Sequence, residues 1–249
     1  MQSTDWWQTF FSGVALDLWR GAVPPEQTRA EADYLQRALE VSGGGRILDV
    51  PCGTGRLALE LASRGYRTTG VDIAEPYVRS AAEQAKQQNL SAEFHHRDMR
   101  ELPWSDEFDA AFCFGNSFGY MDDDSNAAFL TTVARCLKRG ARFVLDTGFV
   151  TECLLPAFQE KRWYKIGNIY FLSQAKYDFA RSRIETEYTF ICNGQVEVKP
   201  TSSRVHTVRE LRELFTQAGL TDLQAASGLQ GEELKLGAPR LLLTGTKAS

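Results

Sequence analysis

The sequence is poor in several features that mark whole classes of protein. None of its apolar runs approaches the ~18 residues that a membrane-spanning helix requires, and its first residues show no basic segment followed by an apolar core. Only five cysteines occur in 249 residues, and no Cys-x-x-Cys pair is found, which argues against a zinc site or a disulfide framework. These absences predict a cytoplasmic protein with reduced thiols, no membrane partner and no metal site.

Positive charge is also scarce, because 28 basic residues stand against 32 acidic ones. The resulting net charge of −4 makes nucleic acid an unfavoured partner. The balance is uneven, since residues 161–209 contain nine Lys and Arg but only four Asp and Glu. This segment is either a sheet with a solvated basic face or a surface for an anionic partner.

What the sequence does contain is a regular alternation of strand and helix patterns between residues 46 and 147. Such alternation predicts an α/β fold, a doubly wound sheet of parallel strands with helices on both faces. Residues 162–206 change to long apolar–polar alternation, with Asn193-Gly194 as a hairpin turn, which predicts an inserted antiparallel β-sheet. A helix over residues 207–218 and two final strands complete the pattern.

Three units follow from these patterns. Residues 1–42 are expected to form an N-terminal helical segment that caps a cofactor site. Residues 43–160 and 207–249 are expected to form the domain that binds the cofactor. Residues 161–206 form the inserted sheet, which we expect to act as a lid over the substrate.

The most informative segment is the glycine loop between the first strand and the next helix. Residues 46–50 form a short apolar strand that carries Asp49, and Gly53 and Gly55 follow it. Strand, glycine turn and helix is the arrangement in which a nucleotide-like cofactor lies across the end of a sheet. The spacing of the two glycines, with Asp72 at the end of the second strand, also fits a dinucleotide. An NAD-dependent oxidoreductase is therefore an alternative.

Three features favour S-adenosylmethionine over NAD. Asp49 lies beside the loop, where a carboxylate suits a cofactor with an α-amino group and repels a pyrophosphate. Asp98, followed by Met99, comes just after the third strand and can accept a hydrogen bond from an adenine amine. The chain also ends with a helix and two strands joined by a long loop.

Together these segments resemble the class I S-adenosylmethionine-dependent methyltransferases, from about residue 28 onward. The matching segments are Leu48–Gly55, Gly70–Ile73, Asp98-Met99, Phe108–Phe112, Asn116–Tyr120 and Leu145-Asp146. The resemblance implies a Rossmann-like seven-stranded sheet of order 3-2-1-4-5-7-6 with strand 7 antiparallel, and S-adenosylhomocysteine as the product. One departure is Pro51, which stands where many members have their first glycine.

The resemblance also implies roles at the cofactor site. Asp49 and the backbone of Gly53 and Gly55 would contact the methionine part of the cofactor. Asp72 would bind the ribose hydroxyls, and Asp98 would accept the adenine amine.

Further residues are expected around the same cofactor. Ile73 and Met99 would pack on the adenine, and Phe114 would line the cofactor pocket. Trp19 in the N-terminal segment is expected to close over the site. Arg29 is expected to pair with the cofactor carboxylate, since a guanidinium binds a carboxylate through two hydrogen bonds.

The acceptor side of the site is expected in the loop after the fourth strand. Asn116 and Tyr120 are the candidates for orienting an acceptor. His206 ends the inserted sheet and is either a weak general base or a packed residue. Transfer of a methyl group from a sulfonium mainly requires alignment and exclusion of water, and a base only where the nucleophile carries a proton.

The sequence therefore predicts an enzyme that transfers a methyl group from S-adenosylmethionine to nitrogen or oxygen of a small-molecule acceptor. Two alternatives besides the NAD enzyme stay open. One is an RNA or protein methyltransferase, which only the basic insert supports. The other is a sensor that binds the cofactor without turnover.

Overall fold

The computed structural model describes residues 5–248 of the chain. Its strands are β1 (Arg46–Asp49), β2 (Arg67–Asp72), β3 (Ala92–His96), β4 (Phe108–Cys113), β5 (Leu137–Thr147), β6 (Lys161–Ile166), β7 (Ile169–Asp178), β8 (Arg183–Cys192), β9 (Gln195–Arg204), β10 (Leu220–Ala226) and β11 (Leu241–Lys247). Its α-helices are α1 (Trp7–Phe10), α2 (Gly13–Gly21), α3 (Pro25–Leu39), α4 (Arg56–Ser63), α5 (Glu75–Gln87), α6 (Asp123–Cys136), α7 (Thr151–Leu154) and α8 (Val208–Gln217). Across the described residues, no helix is both long enough and apolar enough to cross a bilayer.

The central sheet has seven strands in the order β3-β2-β1-β4-β5-β11-β10. Strands β1 to β5 run parallel to one another, with Leu48 beside Thr69 on one side and Ala111 on the other. Strand β11 runs antiparallel to both β5 and β10. Numbered within this sheet, the order is 3-2-1-4-5-7-6 with strand 7 antiparallel, so the predicted topology is confirmed.

Helices cover both faces of the sheet because alternate strand residues are apolar on each side. Leu35 of α3 and Leu61 of α4 lie in one buried cluster with Ile47 of β1. Phe129 of α6 and Phe215 of α8 lie in the cluster on the opposite face. This double coverage explains why the parallel strands read as nearly continuous apolar runs.

The predicted helix starts have the caps that their sequences suggest. The side chain of Asp122 accepts a hydrogen bond from the backbone N–H of Ser125 at 2.8 Å, at the start of α6. Thr207 and Glu210 form a reciprocal capping box at the start of α8. Both caps satisfy N–H groups that have no partner within the helix.

The insert is a separate four-stranded antiparallel sheet in the order β6-β7-β8-β9. Strands β8 and β9 join through the predicted Asn193-Gly194 turn, and both turn residues have positive φ. The guanidinium of Arg183 in this sheet donates to the carbonyls of Tyr120 and Met121 in the loop after β4, at 3.1 and 3.0 Å. The insert is thereby held against the carboxyl ends of the parallel strands.

Candidate active site

A cavity of about 470 Å³ lies at the carboxyl ends of β1, β2, β4 and β5. The N-terminal segment and the inserted sheet supply its other walls. Of the predicted site residues, those that line it are Trp19, Asp49, Gly53, Asp72, Ile73, Asp98, Met99, Phe114, Asn116 and Tyr120. Arg29, Gly55 and His206 are not among the lining residues.

The two glycines of the loop after β1 have different surroundings. Gly53 has φ +52, its N–H donates to the carboxylate of Asp72 at 2.7 Å, and a Cβ added to it would enter open space. Gly55 has φ +73, and its added Cβ would lie 2.7 Å from atoms of both Ala81 and Phe94. Gly55 therefore permits close packing of the loop on α5 and β3, and it does not line the cavity.

Asp72, at the end of β2, is held in one orientation by backbone donors. One carboxylate oxygen accepts from Gly53 and the other from the N–H of Ala74 at 2.8 Å. Burial raises the pKa of Asp72, although these hydrogen bonds oppose the shift. The carboxylate is thus oriented into the cavity beside Ile73.

Asp98 has a partner that the sequence reasoning did not foresee. The guanidinium of Arg100 binds its carboxylate, with Nη2 and Oδ2 2.6 Å apart, and the backbone N–H of Arg100 donates as well. Burial alone would raise the pKa of Asp98, but the bonds from Arg100 outweigh it and hold the pKa below its ordinary value. Asp98 is therefore ionised and remains able to accept further hydrogen bonds through its other lone pairs.

Asp49 has a buried carboxylate oxygen, Oδ2, without a hydrogen-bond partner. Burial raises its pKa well above the ordinary value, and nearby Asp72 adds to the shift while Arg56 opposes it. An orphaned carboxylate oxygen in a cavity is a strong acceptor for a bound ammonium group, because leaving it unpaired costs free energy.

The arginines that line the cavity are not the one that we predicted, Arg29. Arg29 is exposed, because it lies two residues from Gln27 and from Glu31, about 200° around α3 from those lining residues. Arg56, directly after Gly55, lines the cavity and pairs with buried Glu31 at 2.5 Å. Arg240 lies 3.5 Å from Glu31 as well. We therefore correct the expectation for Arg29.

Arg240 also connects the cavity to the end of β5. Its Nη1 lies 3.5 Å from Asp146, whose second oxygen accepts the N–H of Gly115 at 3.0 Å. Burial raises the pKa of Asp146 to about 6, against the opposing effect of Arg240. The guanidinium of Arg240 lies 5.8 Å from the ring centroid of Phe114.

The predicted acceptor residues line the same cavity. Asn116 has φ +64, and its side-chain oxygen accepts a hydrogen bond from the backbone of Gly148, which links the loops after β4 and β5. The ring of Tyr120 lies 4.5 Å from that of Trp6. Trp19 packs against Phe171 of the insert, and its indole nitrogen is buried without a hydrogen-bond partner.

His206 is not at the cavity. Its ring packs 5.4 Å from Phe118, and its backbone carbonyl accepts from the N–H of Thr151 at 2.8 Å. Burial lowers its pKa to about 4, so the imidazole is neutral at physiological pH. The packed alternative is correct, and the base alternative is wrong.

Sequence reasoning missed a group of aromatic and hydroxyl residues that complete the cavity. These are Trp6, Trp7, Phe10, Phe11, Tyr77, Tyr188, Thr201 and Ser203. The aromatic density near the N-terminus was a signal for the first four. No local pattern distinguishes Tyr188, Thr201 and Ser203 from other alternating residues of the insert.

Known proteins are similar to this chain in sequence and in fold. Residues 47–140 match the family model described as a methyltransferase domain. A putative methyltransferase of Geobacillus sp. is 25% identical over 91% of both chains. The family match, this relative and the topology of the sheet together support a class I S-adenosylmethionine-dependent methyltransferase. The methyltransferase is therefore an enzyme, and S-adenosylmethionine is its cofactor.

Solved structures share the fold over most of the chain. An S-adenosylmethionine-dependent methyltransferase from Clostridium acetobutylicum has a TM-score of 0.79 to this methyltransferase at 16% identity, covering 94% of this chain and 96% of the other. The sugar N-methyltransferase KedS8 from Streptoalloteichus sp. has a TM-score of 0.71 at 20% identity, with coverage of 94% and 93%. At such identities the comparison establishes the shared fold.

The residues of the cavity fit S-adenosylmethionine. The orphaned oxygen of Asp49 matches the α-amino group of that cofactor, and Arg56 beside it matches a carboxylate. Asp72 and Asp98 also line the cavity and can accept further hydrogen bonds. A pyrophosphate would instead meet the buried Asp49, which is an unfavourable like-charge contact.

Proposed function

We propose that this methyltransferase transfers the methyl group of S-adenosylmethionine to the nitrogen of a small-molecule amine. The observation that carries the proposal is one continuous cavity. It joins the cofactor loop, with Asp49 and Asp72, to a wall that contains Tyr120, Tyr188 and Ser203. Both reactants would thus meet in one enclosed space at the carboxyl ends of the strands.

Each cofactor-binding residue has a proposed partner group. Asp49 holds the α-amino group of the cofactor. Arg56 pairs with the carboxylate of the cofactor, which is the role that we expected of Arg29. Asp72 binds the ribose hydroxyls. Asp98 accepts the adenine amine. Ile73 and Met99, which line the cavity together with Phe114 and Trp19, pack on the cofactor.

The chemistry would depend on alignment and on exclusion of water. The bound cofactor supplies a methyl group on a positively charged sulfur, which is a good leaving group. Asn116 and Tyr120 would orient the acceptor, and the aromatic walls exclude water. Correct placement of two reactants contributes about 7–11 kcal/mol to such a step.

An amine is favoured over a hydroxyl by the titratable groups of the cavity. No histidine is among its lining residues in the described part of the chain. Asp146 is the lining carboxyl group whose pKa lies near 6, and both its oxygens already have partners. An uncharged amine attacks without a strong base, whereas a hydroxyl requires one. The described likeness to a sugar N-methyltransferase supports the same choice.

The inserted sheet is proposed to act as the lid over the acceptor, as its residues Tyr188, Thr201 and Ser203 support. Some of its basic residues are engaged in contacts within the protein. Arg183 is bound to backbone carbonyls, and Arg204 is paired with Asp123 and Glu210. These contacts weaken the proposal of an RNA or protein substrate.

The unit boundaries and the location of the protein also remain proposals. We propose residues 1–42 as the cap of the cofactor site, and 43–160 with 207–249 as the cofactor-binding domain. The lid comprises 161–206. All five cysteines are free thiols, which supports a reducing, cytoplasmic environment.

Calorimetric titration of S-adenosylmethionine into the wild type and into Asp72→Ala tests the cofactor site. We expect the wild type to bind and Asp72→Ala to bind at least about tenfold more weakly, or ~1.4 kcal/mol. Asp124→Ala, which removes an exposed acid of α6, is the matched control and should bind like the wild type. NAD should bind to none of the three.

A methyl-transfer assay with a panel of small amines and alcohols then tests the reaction. Release of S-adenosylhomocysteine with an amine supports the proposal. Turnover confined to alcohols contradicts nitrogen as the acceptor. Tight cofactor binding with no turnover across the panel, or salt-sensitive binding to polyanions, favours the sensor or RNA alternative respectively.

A further inference from the structure

Two neighbouring side chains of β9 hold the N-terminal segment in place. Glu197 and Lys199 lie on the same face of β9 as Thr201 and Ser203, because they are separated by even numbers of residues. Thr201 and Ser203 line the cavity, whereas Glu197 and Lys199 contact the turn between α1 and α2. One strand face therefore serves both the cavity and its cap.

The ammonium group of Lys199 is surrounded by oxygens of that turn. It donates to the carbonyls of Phe10 and Ser12 at 2.6 and 2.8 Å, and to the hydroxyl of Ser12 at 2.8 Å. The carbonyl of Thr9 lies at 3.3 Å and the carboxylate of Glu197 at 3.0 Å. The side chain of Lys199 is only 12% exposed, so this cation is almost fully withdrawn from water.

Glu197 binds the other half of the turn. Its Oε2 accepts a hydrogen bond from the N–H of Val14, in the first turn of α2, at 2.8 Å. A Cβ on Gly13 would lie 2.8 Å from both carboxylate oxygens, so the absence of a side chain there admits Glu197. Gly13 also has φ +58, which favours glycine.

Neither helix supplies these caps itself. Helix α1 has only four residues and no basic residue in its last turn, and Ser12 makes no capping bond to α2. Lys199 therefore satisfies carbonyls at the end of α1, and Glu197 satisfies an N–H at the start of α2. Because isolated short helices are marginal in water, the position of this turn depends on β9.

The turn carries an aromatic wall of the cavity, which we define as Trp6, Trp7, Phe10 and Phe11. Trp6 lies against Tyr120 and donates its indole N–H to the carbonyl of Ser202, next to Thr201, at 2.8 Å. The ring of Phe10 lies 5.8 Å from that of Tyr188. The wall thus faces the proposed acceptor residues.

We propose that Lys199 and Glu197 are positioning residues that hold the aromatic wall in place over the acceptor side of the cavity. The expected effect of these two residues on the acceptor rests on the proposed function, whereas their expected effect on the aromatic wall rests on geometry alone. Neither side chain lines the cavity, so both act through the wall and not on the reactants.

The test replaces Lys199 by methionine, which keeps an unbranched side chain and removes the charge. Exposed Lys176 on β7 provides the matched control, Lys176→Met. A protease that cuts after aromatic residues is applied to the full chain without ligands, and cleavage within residues 6–11 is measured. Since hydrogen bonds to a charged group are lost, we expect cleavage in Lys199→Met to be about ten- to a hundredfold faster than in the wild type.

Binding and kinetics give a second measurement. We expect the KM for the acceptor to rise about tenfold in Lys199→Met, while the Kd for S-adenosylmethionine changes less than about threefold. If the substitution only reduced the amount of folded enzyme, the active fraction would fall, but the KM for the acceptor would not change relative to the Kd for S-adenosylmethionine. Equal cleavage rates and equal KM values in Lys199→Met and Lys176→Met would overturn the proposal.

A second variant covers the case in which Lys199→Met does not fold. Glu197→Ala removes the bond to Val14 but leaves Lys199 with the oxygens of the turn, and we expect a smaller increase in cleavage. An unchanged cleavage rate in a folded Glu197→Ala would also overturn the proposal. Because proteolysis needs neither cofactor nor acceptor, a failure of the proposed methyl transfer leaves this measurement readable.

Discussion

At the scale of single residues, burial determines which ionisable groups carry charge. Asp49, Asp72 and Asp146 have raised pKa values chiefly because they are buried, whereas the bonds from Arg100 lower the pKa of Asp98. His206 shows the same effect for a base, since its burial lowers the pKa to about 4. These shifts make the stability of the fold depend on pH in two opposite senses.

The contribution of His206 to stability has a definite sign. Its folded pKa of about 4 lies below the ordinary value of 6.5, so the unfolded chain takes up a proton first as the pH falls. Stability is lost between pH 6.5 and 4, by up to ~3 kcal/mol. Asp146, with a folded pKa of about 6, acts in the opposite direction below that pH.

Urea unfolding of the wild type and of His206→Gln at pH 7 and pH 4.5 isolates the histidine effect. We expect the wild type to lose about 2–3 kcal/mol more than His206→Gln on this change of pH. The kcat of His206→Gln at pH 7 should remain that of the wild type. His96→Gln, at an exposed position, is the control. A fall in kcat alone would return His206 to the candidates for a base.

At the scale of elements, the loop between β1 and α4 contains two glycines with separate tasks. Gly55 begins α4 in a left-handed conformation and packs on Ala81 and Phe94. Gly53 has a similar conformation but faces the cavity. Gly55 therefore allows close packing, and Gly53 allows a ligand to approach the backbone of the loop.

Alanine substitutions should separate these tasks. Gly55→Ala adds a clashing Cβ at positive φ, and we expect a loss of about 2–4 kcal/mol of stability. Gly53→Ala has open space, so we expect a loss of only about 1 kcal/mol but at least tenfold weaker binding of S-adenosylmethionine. Thermal unfolding and calorimetry measure the two effects. If Gly55→Ala kept the stability of the wild type but bound S-adenosylmethionine more weakly, the packing role of Gly55 would be contradicted.

At the scale of the whole molecule, buried and paired arginines join the inserted sheet to the parallel sheet. Arg183 bonds to two carbonyls of the loop after β4, and Arg204 pairs with Asp123 of α6 and Glu210 of α8. The N–H of Arg204 also donates to the carbonyl of Gly119 at 2.7 Å. The two sheets should therefore unfold together.

Replacement of Arg183 by methionine tests this coupling. The variant leaves the carbonyl of Tyr120 without its guanidinium donor and that of Met121 with only the side-chain amide of Asn126, and we expect a loss of about 2–4 kcal/mol. Exposed Arg181→Met should change stability by less than about 0.5 kcal/mol. Urea unfolding followed by circular dichroism and by tryptophan fluorescence should show one transition in the wild type. Two separate transitions would contradict the coupling.

The candidate site was predictable where its residues belong to one local motif. Asp49 and Asp72 are the last residues of β1 and β2, Gly53 comes shortly after β1, and parallel strands end at the same edge of a sheet. Arg29 was misplaced because the choice between neighbouring helix residues depends on a rotation of about 100° per residue, which the strand pattern does not specify. Arg56, two residues before Ala58 on α4, carried no pattern that separated it from a surface arginine.

The sequence by itself determined the alternation of elements, their caps and turns, and the glycine loop, because these depend on residues within one or two turns of each other. Only the tertiary structure decided which distant side chains meet. Trp6 with Ser202, Glu31 with Arg240, and Lys199 with Phe10 are separated by most of the chain. Such contacts depend on how the N-terminal segment and the insert close over the sheet, a geometry that no local periodicity encodes.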